Sequence, residues 1–114
     1  MKAFSVAGSS SKIMKFNKDF IPDTVKNEIV YSDGETEYRA AGGEIRSKDK
    51  KLSSKEVHDF EKIVVSSNKT NVLRHMLNTG FSLHLDMIYL ASQHGALEMV
   101  KLFMDVMVIT LNIF

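Results

Sequence analysis

The sequence predicts a mainly α-helical fold, in which an irregular amino-terminal segment and a small β-hairpin precede about two helix–turn–helix repeats. Apolar residues recur at helical spacing from Val57 onward, which is typical of helices with one buried face. The carboxyl-terminal half also matches itself when it is shifted so that Ile63 falls on Leu90, so a helical unit is repeated. Before these units, Asp33-Gly34 separates two β-prone runs, the pattern that most strongly indicates a hairpin.

Length, charge and composition exclude several functional classes. With 114 residues the chain has the length of one domain, and its net charge of +1 predicts no nucleic-acid partner. It has no cysteine, which excludes disulfides and thiol chemistry. The most apolar segment, 99–114, carries two charged residues and is shorter than the roughly 20 residues that cross a bilayer, so no membrane span is expected. We therefore expect an intracellular, cytoplasmic protein, located in the host cell if its source is viral or bacterial.

Residues 1–52 form the predicted amino-terminal extension. Over residues 1–27, scattered lysines and isolated apolar residues lack a sustained period, which favours an irregular or partly disordered segment. Residues 41–54 combine two glycines with a charge run. The basic residues there could contact phosphates, but acidic residues are interspersed among them, and this favours a solvated linker.

The hairpin is predicted over residues 28–40. A two-residue turn would pair Ser32 with Glu35 and place Tyr31 opposite Thr36. An isolated hairpin is marginally stable in water, so it must pack against the rest of the chain.

Residues 53–80 form the first predicted helical unit. Ser53 followed three residues later by Glu56 is a capping box, which starts a helix. The polar run 66–68 interrupts that helix, and a second helix leads to Gly80, which supplies the left-handed position that closes it.

Residues 87–106 form the second predicted unit, with one helix on each side of a turn at Gly95. The shift that places Ile63 on Leu90 also places Asn68 on Gly95, and these residue types tolerate left-handed backbone best. Both units are therefore expected to reverse direction at equivalent positions. The last helix is expected to end at about Val106, and residues 107–114 are then an apolar tail.

The segment LASQHGALEMVKLFMD, residues 90–105, resembles the ankyrin repeat family and its Leu-Ala-Ala-x-x-Gly-His-Leu-Glu-Val-Val-Lys-Leu-Leu core. NVLRHMLNTGFSLHLD, residues 71–86, is similar to the end of a preceding repeat, and the resemblance covers roughly residues 60–106. It implies an ankyrin-like stack and a non-enzymatic module for protein–protein interaction. The offset between the two units is shorter than the usual period of about 33 residues, so no projecting finger is expected between them.

In such stacks the first helices and the connections between units contact the partner. The resemblance therefore implies partner binding by five residues: Phe81, His84, Tyr89, Gln93 and His94. The partner would be another protein, and the apolar carboxyl-terminal end could also support self-association. The alternative is a truncated or degenerate fragment of a longer ankyrin-repeat protein with no independent activity, because a stack usually needs about three repeats.

The four histidines give no sign of catalysis or metal binding in the sequence. They have no i, i+4 spacing, and His58 and Asp59 are adjacent, so on a helix they point in different directions. No phosphate-loop motif is present either. The sequence thus predicts no catalytic residue, no cofactor and no metal site, and the protein is not expected to be an enzyme.

Overall fold

The computed structural model describes residues 14–113, with side chains through Met107, and within them the protein is mainly α-helical with one small sheet. A 3-10 turn at Lys18–Phe20 precedes the strands and the α-helices. The three strands are antiparallel in the order β1-β2-β3: β1 (Ile29–Ser32), β2 (Glu37–Ala41) and β3 (Glu44–Arg46). The helices follow: α1 (Ser54–Ser66), α2 (Thr70–Asn78), α3 (Leu85–Gln93) and α4 (Leu97–Ile113).

The described part of the amino-terminal segment is irregular and packs on the core through a few apolar side chains. The Phe16 ring lies edge-on to Tyr31 and Phe60, at centroid distances of 5.1 and 5.0 Å. Ile21 is buried in the same core. Residues 14–27 therefore join the sheet to α1 through apolar contacts, whereas residues 1–13 of the predicted lead-in lie outside the described residues.

The predicted hairpin is present, but its two-residue turn and register are wrong. Ser32 pairs with Glu37 and Tyr31 with Tyr38, which leaves a four-residue loop. The Asp33 carboxylate accepts hydrogen bonds from the backbone amides of Glu35 at 2.9 Å and Thr36 at 2.8 Å. A side chain that satisfies two amides stabilises the longer loop. These bonds to Thr36 and Glu35 also lower the pKa of Asp33.

Part of the segment predicted as a solvated linker belongs to the sheet. Gly42 and Gly43, with φ angles of 59° and 80°, form the two-residue turn between β2 and β3. Positive φ at both central positions is the geometry that such a turn requires, and glycine adopts it without strain. Past β3 the chain turns again, and the Leu52 amide donates to the Ile45 carbonyl at 3.0 Å.

A close approach of two glycines connects the sheet to the helices. The Gly43 amide donates to the Thr79 carbonyl, at the end of α2, at 2.9 Å. A Cβ atom on Gly43 would lie 3.2 Å from the Gly80 carbonyl oxygen, which is tighter than ordinary packing. The absence of a side chain at these positions thus lets the β2–β3 turn contact the backbone of α2.

The first helical unit begins, and both units turn, as the sequence predicts. Ser53 and Glu56 form the capping box of α1. Asn68 and Gly95 have φ angles of 58° and 66°, so both turns contain a left-handed residue. The residue after each left-handed position makes the same hydrogen bond. In the first unit the Lys69 amide donates to the Val64 carbonyl, and at the equivalent positions of the second unit the Ala96 amide donates to the Ala91 carbonyl. These bonds define a Schellman motif, so the repeat extends to the backbone hydrogen bonding.

The two units pack side by side around one core. Helix α1 packs against α2 and α3, and α4 packs against α3 and α2. The largest fully buried helical side chains come from both units: Phe60, Val64, Val65, Val72, Met76, Met99 and Phe103.

Two predicted boundaries need correction. Helix α3 begins at Leu85, two residues before the predicted start, and α4 continues through Ile113. The predicted apolar tail is therefore helical as far as that residue. No helix within residues 14–113 has both the length and the hydropathy to cross a membrane.

Candidate functional site

The five residues predicted to bind a partner do not share one environment. Phe81 is only 9% exposed and belongs to the core, because it follows Gly80 and its amide donates to the Met76 carbonyl at 3.1 Å. That bond closes α2 with its own Schellman motif and turns the ring inward. Phe81 is thus a structural residue. The other four are exposed: His84, Tyr89, Gln93 and His94.

An apolar stripe lies on the second unit. Its five members are large apolar residues that the fold leaves exposed on α3 and α4: Leu85, Tyr89, Leu97, Met104 and Met107. Leu85 and Tyr89 are one helical turn apart, and the three residues of α4 also recur at spacings that keep them on one side of the helix. Leu85 is 81% exposed and Tyr89 is 66% exposed. This stripe is the candidate interaction surface.

A cluster of titratable side chains lies at the junction of the two units. His58 and Glu61 are three residues apart on α1, and His84 reaches them from the connection that precedes α3. The Glu61 Oε1 atom lies 3.6 Å from His58 Nδ1 and 3.5 Å from His84 Nδ1. The three side chains line a cleft of about 660 Å³ between the β2–β3 turn and the helices.

A fourth residue, Asp86, fixes the orientation of His58. Its Oδ2 atom lies 3.0 Å from His58 Nε2, on the opposite side of the imidazole from Glu61. A carboxylate at this distance attracts the Nε2 side of the ring, and Nδ1 then faces Glu61. His58 is therefore oriented by Asp86 and not by its neighbour Asp59.

The Glu61 carboxylate is the buried and unsatisfied member of the cluster. Its residue is 4% exposed, and Oε1 is buried without a hydrogen-bond partner. Burial raises the pKa of Glu61 above its usual range, with the nearby His84 and His58 opposing the shift and Asp86 adding to it. An unsatisfied buried carboxylate oxygen is costly, and such groups are uncommon in folded proteins.

Sequence reasoning missed this cluster because it considered the histidines with one another and with adjacent carboxylates. A His-x-x-Glu spacing on the predicted helix would have placed His58 and Glu61 on one face. Nothing in the sequence could have placed His84 beside them, because its position depends on how the second unit packs on the first.

Comparison with known proteins adds no family to this description. A scan against protein-family models, a search of curated proteins and a search of solved structures each give no match to the chain. The class of protein is therefore defined by its own architecture: a mainly α-helical chain whose helix–turn–helix unit repeats behind a three-stranded antiparallel sheet.

Proposed function

We propose that the chain is a non-enzymatic protein-interaction module of the ankyrin-repeat type that binds a helical segment of another protein. One observation carries the proposal, namely the apolar stripe on the second unit. Large apolar side chains scattered singly over a surface are ordinary, whereas five of them on the exposed faces of two adjacent helices are typical of an interaction site.

Comparison of the stripe with the equivalent positions of the first unit indicates what could cover it. Leu85 is the equivalent in the second unit of His58, and His58 contacts Asp86 of the following unit. Met104 is likewise the equivalent of Leu77, which packs against the core. At these two positions the second unit exposes apolar side chains where the first unit is partly covered. A pair of helices, or a single amphipathic helix, has the shape to cover such a surface.

Apolar contact, more than charge, would provide the affinity. The exposed charges on α4 have both signs, Glu98 and Asp105 against Lys101, and the net charge of the chain is +1. Balanced charge gives little electrostatic steering. Tyr89 is the residue most suited to anchor a partner, because tyrosine is enriched among residues that dominate binding energy.

The proposal is tested with a photoreactive amino acid at position 89, matched by one at Lys48 on the sheet side. We expect position 89, and not position 48, to cross-link to a helical segment of a specific protein. The affinity of the purified segment is then measured by calorimetry for the Leu85→Ser and Met104→Ser variants. We expect at least a tenfold loss for each, with Phe20→Ser, an exposed apolar residue outside the stripe, as the unchanged control.

Equal binding by all variants would place the contact elsewhere and refute the proposal. If the captured segment is α3 or α4 of a second copy, the stripe serves self-association, which ultracentrifugation over a concentration series would show.

The alternative is a degenerate fragment with no independent activity, whose apolar stripe has lost its cover. A purified chain that lacks a cooperative thermal transition would favour this alternative. A cooperative transition favours the module.

A further inference from the structure

We propose that His58, Glu61 and His84 bind one divalent transition-metal ion, with Zn²⁺ as the best fit, at the junction of the two helical units. This site is separate from the apolar stripe and goes beyond the proposed interaction with a partner. It also departs from the sequence-based expectation that the chain has no metal site.

The separations between donor atoms fit a metal ion better than they fit hydrogen bonds. The Glu61 Oε1 atom lies 3.6 and 3.5 Å from Nδ1 of His58 and His84, beyond good hydrogen-bond length. Two ligands of a tetrahedral Zn²⁺ ion, each about 2.1 Å from the metal, are about 3.4 Å apart. Ligand atoms of all three residues lie within 4.8 Å of one another, so small side-chain rotations bring them onto one ion.

The choice of donors favours a borderline transition metal. Two imidazole nitrogens with one carboxylate oxygen suit zinc and its neighbours, whereas Mg²⁺ and Ca²⁺ prefer oxygen ligands. Three protein ligands leave a fourth position open to the cleft, where a water molecule would complete the tetrahedron.

The surroundings of His58 are those of a metal ligand. Asp86 Oδ2 lies 3.0 Å from its Nε2, so the second ring nitrogen is held by a carboxylate while Nδ1 faces the site. Metal-binding histidines usually have such a partner, which fixes the tautomer and makes the ligand more basic. Asp86 would act as a positioning residue and not as a ligand.

The buried oxygen of Glu61 points to an unassigned ligand independently of this geometry. Oε1 is the carboxylate atom that faces both histidines, and it has no hydrogen-bond partner although the residue is only 4% exposed. The only lysine or arginine that lines the cleft, within residues 14–107, is Lys51, and its Nζ lies 2.6 Å from Glu44 Oε2. A divalent cation would supply the positive charge that Glu61 lacks.

An ion at this position would connect the two units. His58 and Glu61 belong to α1, and His84 belongs to the connection that leads into α3. Because a ligand that binds only the folded chain stabilises it, metal binding should raise the thermal unfolding midpoint.

The test uses the full chain without a histidine tag. Co²⁺ is titrated first, because its visible absorption reports tetrahedral coordination, and Zn²⁺ is then used to displace it. We expect one Co²⁺ per chain, displacement by Zn²⁺ and not by Mg²⁺, and a higher thermal unfolding midpoint with Zn²⁺.

The variants separate this site from incidental binding to surface histidines. We expect Glu61→Gln and His84→Ala to weaken Co²⁺ binding at least tenfold, whereas His94→Ala, an exposed histidine in the α3–α4 turn, leaves it unchanged. His84 is itself exposed, so its replacement should not impair folding, which circular dichroism verifies. Asp86→Asn should weaken binding about tenfold while retaining the tetrahedral spectrum.

Absence of the tetrahedral Co²⁺ spectrum in the unaltered chain would overturn the proposal. So would equal Co²⁺ affinity in the Glu61→Gln, His84→Ala and unaltered chains, because binding would then occur elsewhere.

Discussion

Two buried glutamates on one helix differ in how many hydrogen bonds their carboxylates accept. Glu56 and Glu61 both lie on α1 and are 5% and 4% exposed. Glu56 accepts hydrogen bonds from the amides of Ser53 and Met14, both at 3.0 Å, and from Lys50 Nζ at 2.9 Å. Glu61 Oε1 accepts none. Burial therefore does not define the role of these residues; the number of donors around the carboxylate does.

The same difference appears in the pKa of each group. Burial would raise the pKa of Glu56, but the hydrogen bonds from Ser53, Met14 and Lys50 outweigh it and lower that pKa to about 2. For Glu61 burial prevails and the pKa is raised. A carboxylate whose oxygens all accept hydrogen bonds stabilises the fold, whereas a carboxylate oxygen without a donor is available to a ligand.

The largest effect is expected for Glu56→Ala. It removes one half of the capping box and leaves the Met14 amide and the Lys50 ammonium without their acceptor. We expect a loss of about 3 kcal/mol in the free energy of unfolding, measured in urea. Glu56→Gln retains one acceptor oxygen and should lose less. A loss for the alanine variant no larger than that of an ordinary surface substitution, about 0.5 kcal/mol, would show that the bonds around Glu56 contribute little.

Protonation of Glu56 should make the fold less stable at acid pH. Its pKa is lowered from 4.5 to about 2 on folding, so its stabilising contribution is complete above about pH 4.5. That contribution declines as the pH falls toward 2, by up to about 3 kcal/mol, because protonation then opposes folding. Urea unfolding from pH 6 to pH 2 measures this decline. Glu56→Gln should flatten the curve, and an identical curve for that variant would assign the acid sensitivity to other groups.

The opposite sign is expected for Glu61→Met, measured with a chelator present. Methionine fills a similar volume and removes an unsatisfied buried carboxylate, so the variant should be equally stable or more stable by about 1 kcal/mol. The same substitution at Glu56 should be destabilising, which makes it the matched control. A loss of more than about 1 kcal/mol at Glu61 would mean that its carboxylate already has a partner that stabilises the fold.

The smallest effect is expected for Lys50→Met. Its ammonium pairs with Glu56, but the Lys50 side chain is 42% exposed, and solvent weakens such ion pairs. We expect a loss of at most about 1 kcal/mol in urea unfolding, smaller at high salt. A loss as large as that of Glu56→Ala would show that the lysine, and not the backbone amides, stabilises the carboxylate.

Local features of the fold were predictable because their hydrogen bonds join residues close in sequence. The capping box of Ser53 and Glu56 spans three positions, and the Schellman bond behind Asn68 spans five. Both depend on side-chain chemistry and left-handed tolerance that the residue types themselves provide. The hairpin shows the limit of such reasoning: Asp33 bonds to two amides and selects a longer loop than its turn signal implied.

The charged segment after the hairpin was wrongly predicted to be a linker, because amino-acid composition does not show that a strand there pairs with β2. Gly42-Gly43 forms the tight turn, and Ile45 is buried in β3 although charged residues surround it in the sequence. A single apolar residue between charges gives no periodic signal, whereas the strand exists because β2 lies beside it.

The sequence by itself determined where the first helical unit starts and where both units reverse, since these features depend on contacts within a few residues. Tertiary structure alone decided which side chains meet: it exposed the apolar stripe and brought His84 to His58 and Glu61. The members of this cluster come from separate elements, and their distances follow from how the second unit packs on the first. Local preferences do not encode that packing, because many side chains spread over the whole core set it together.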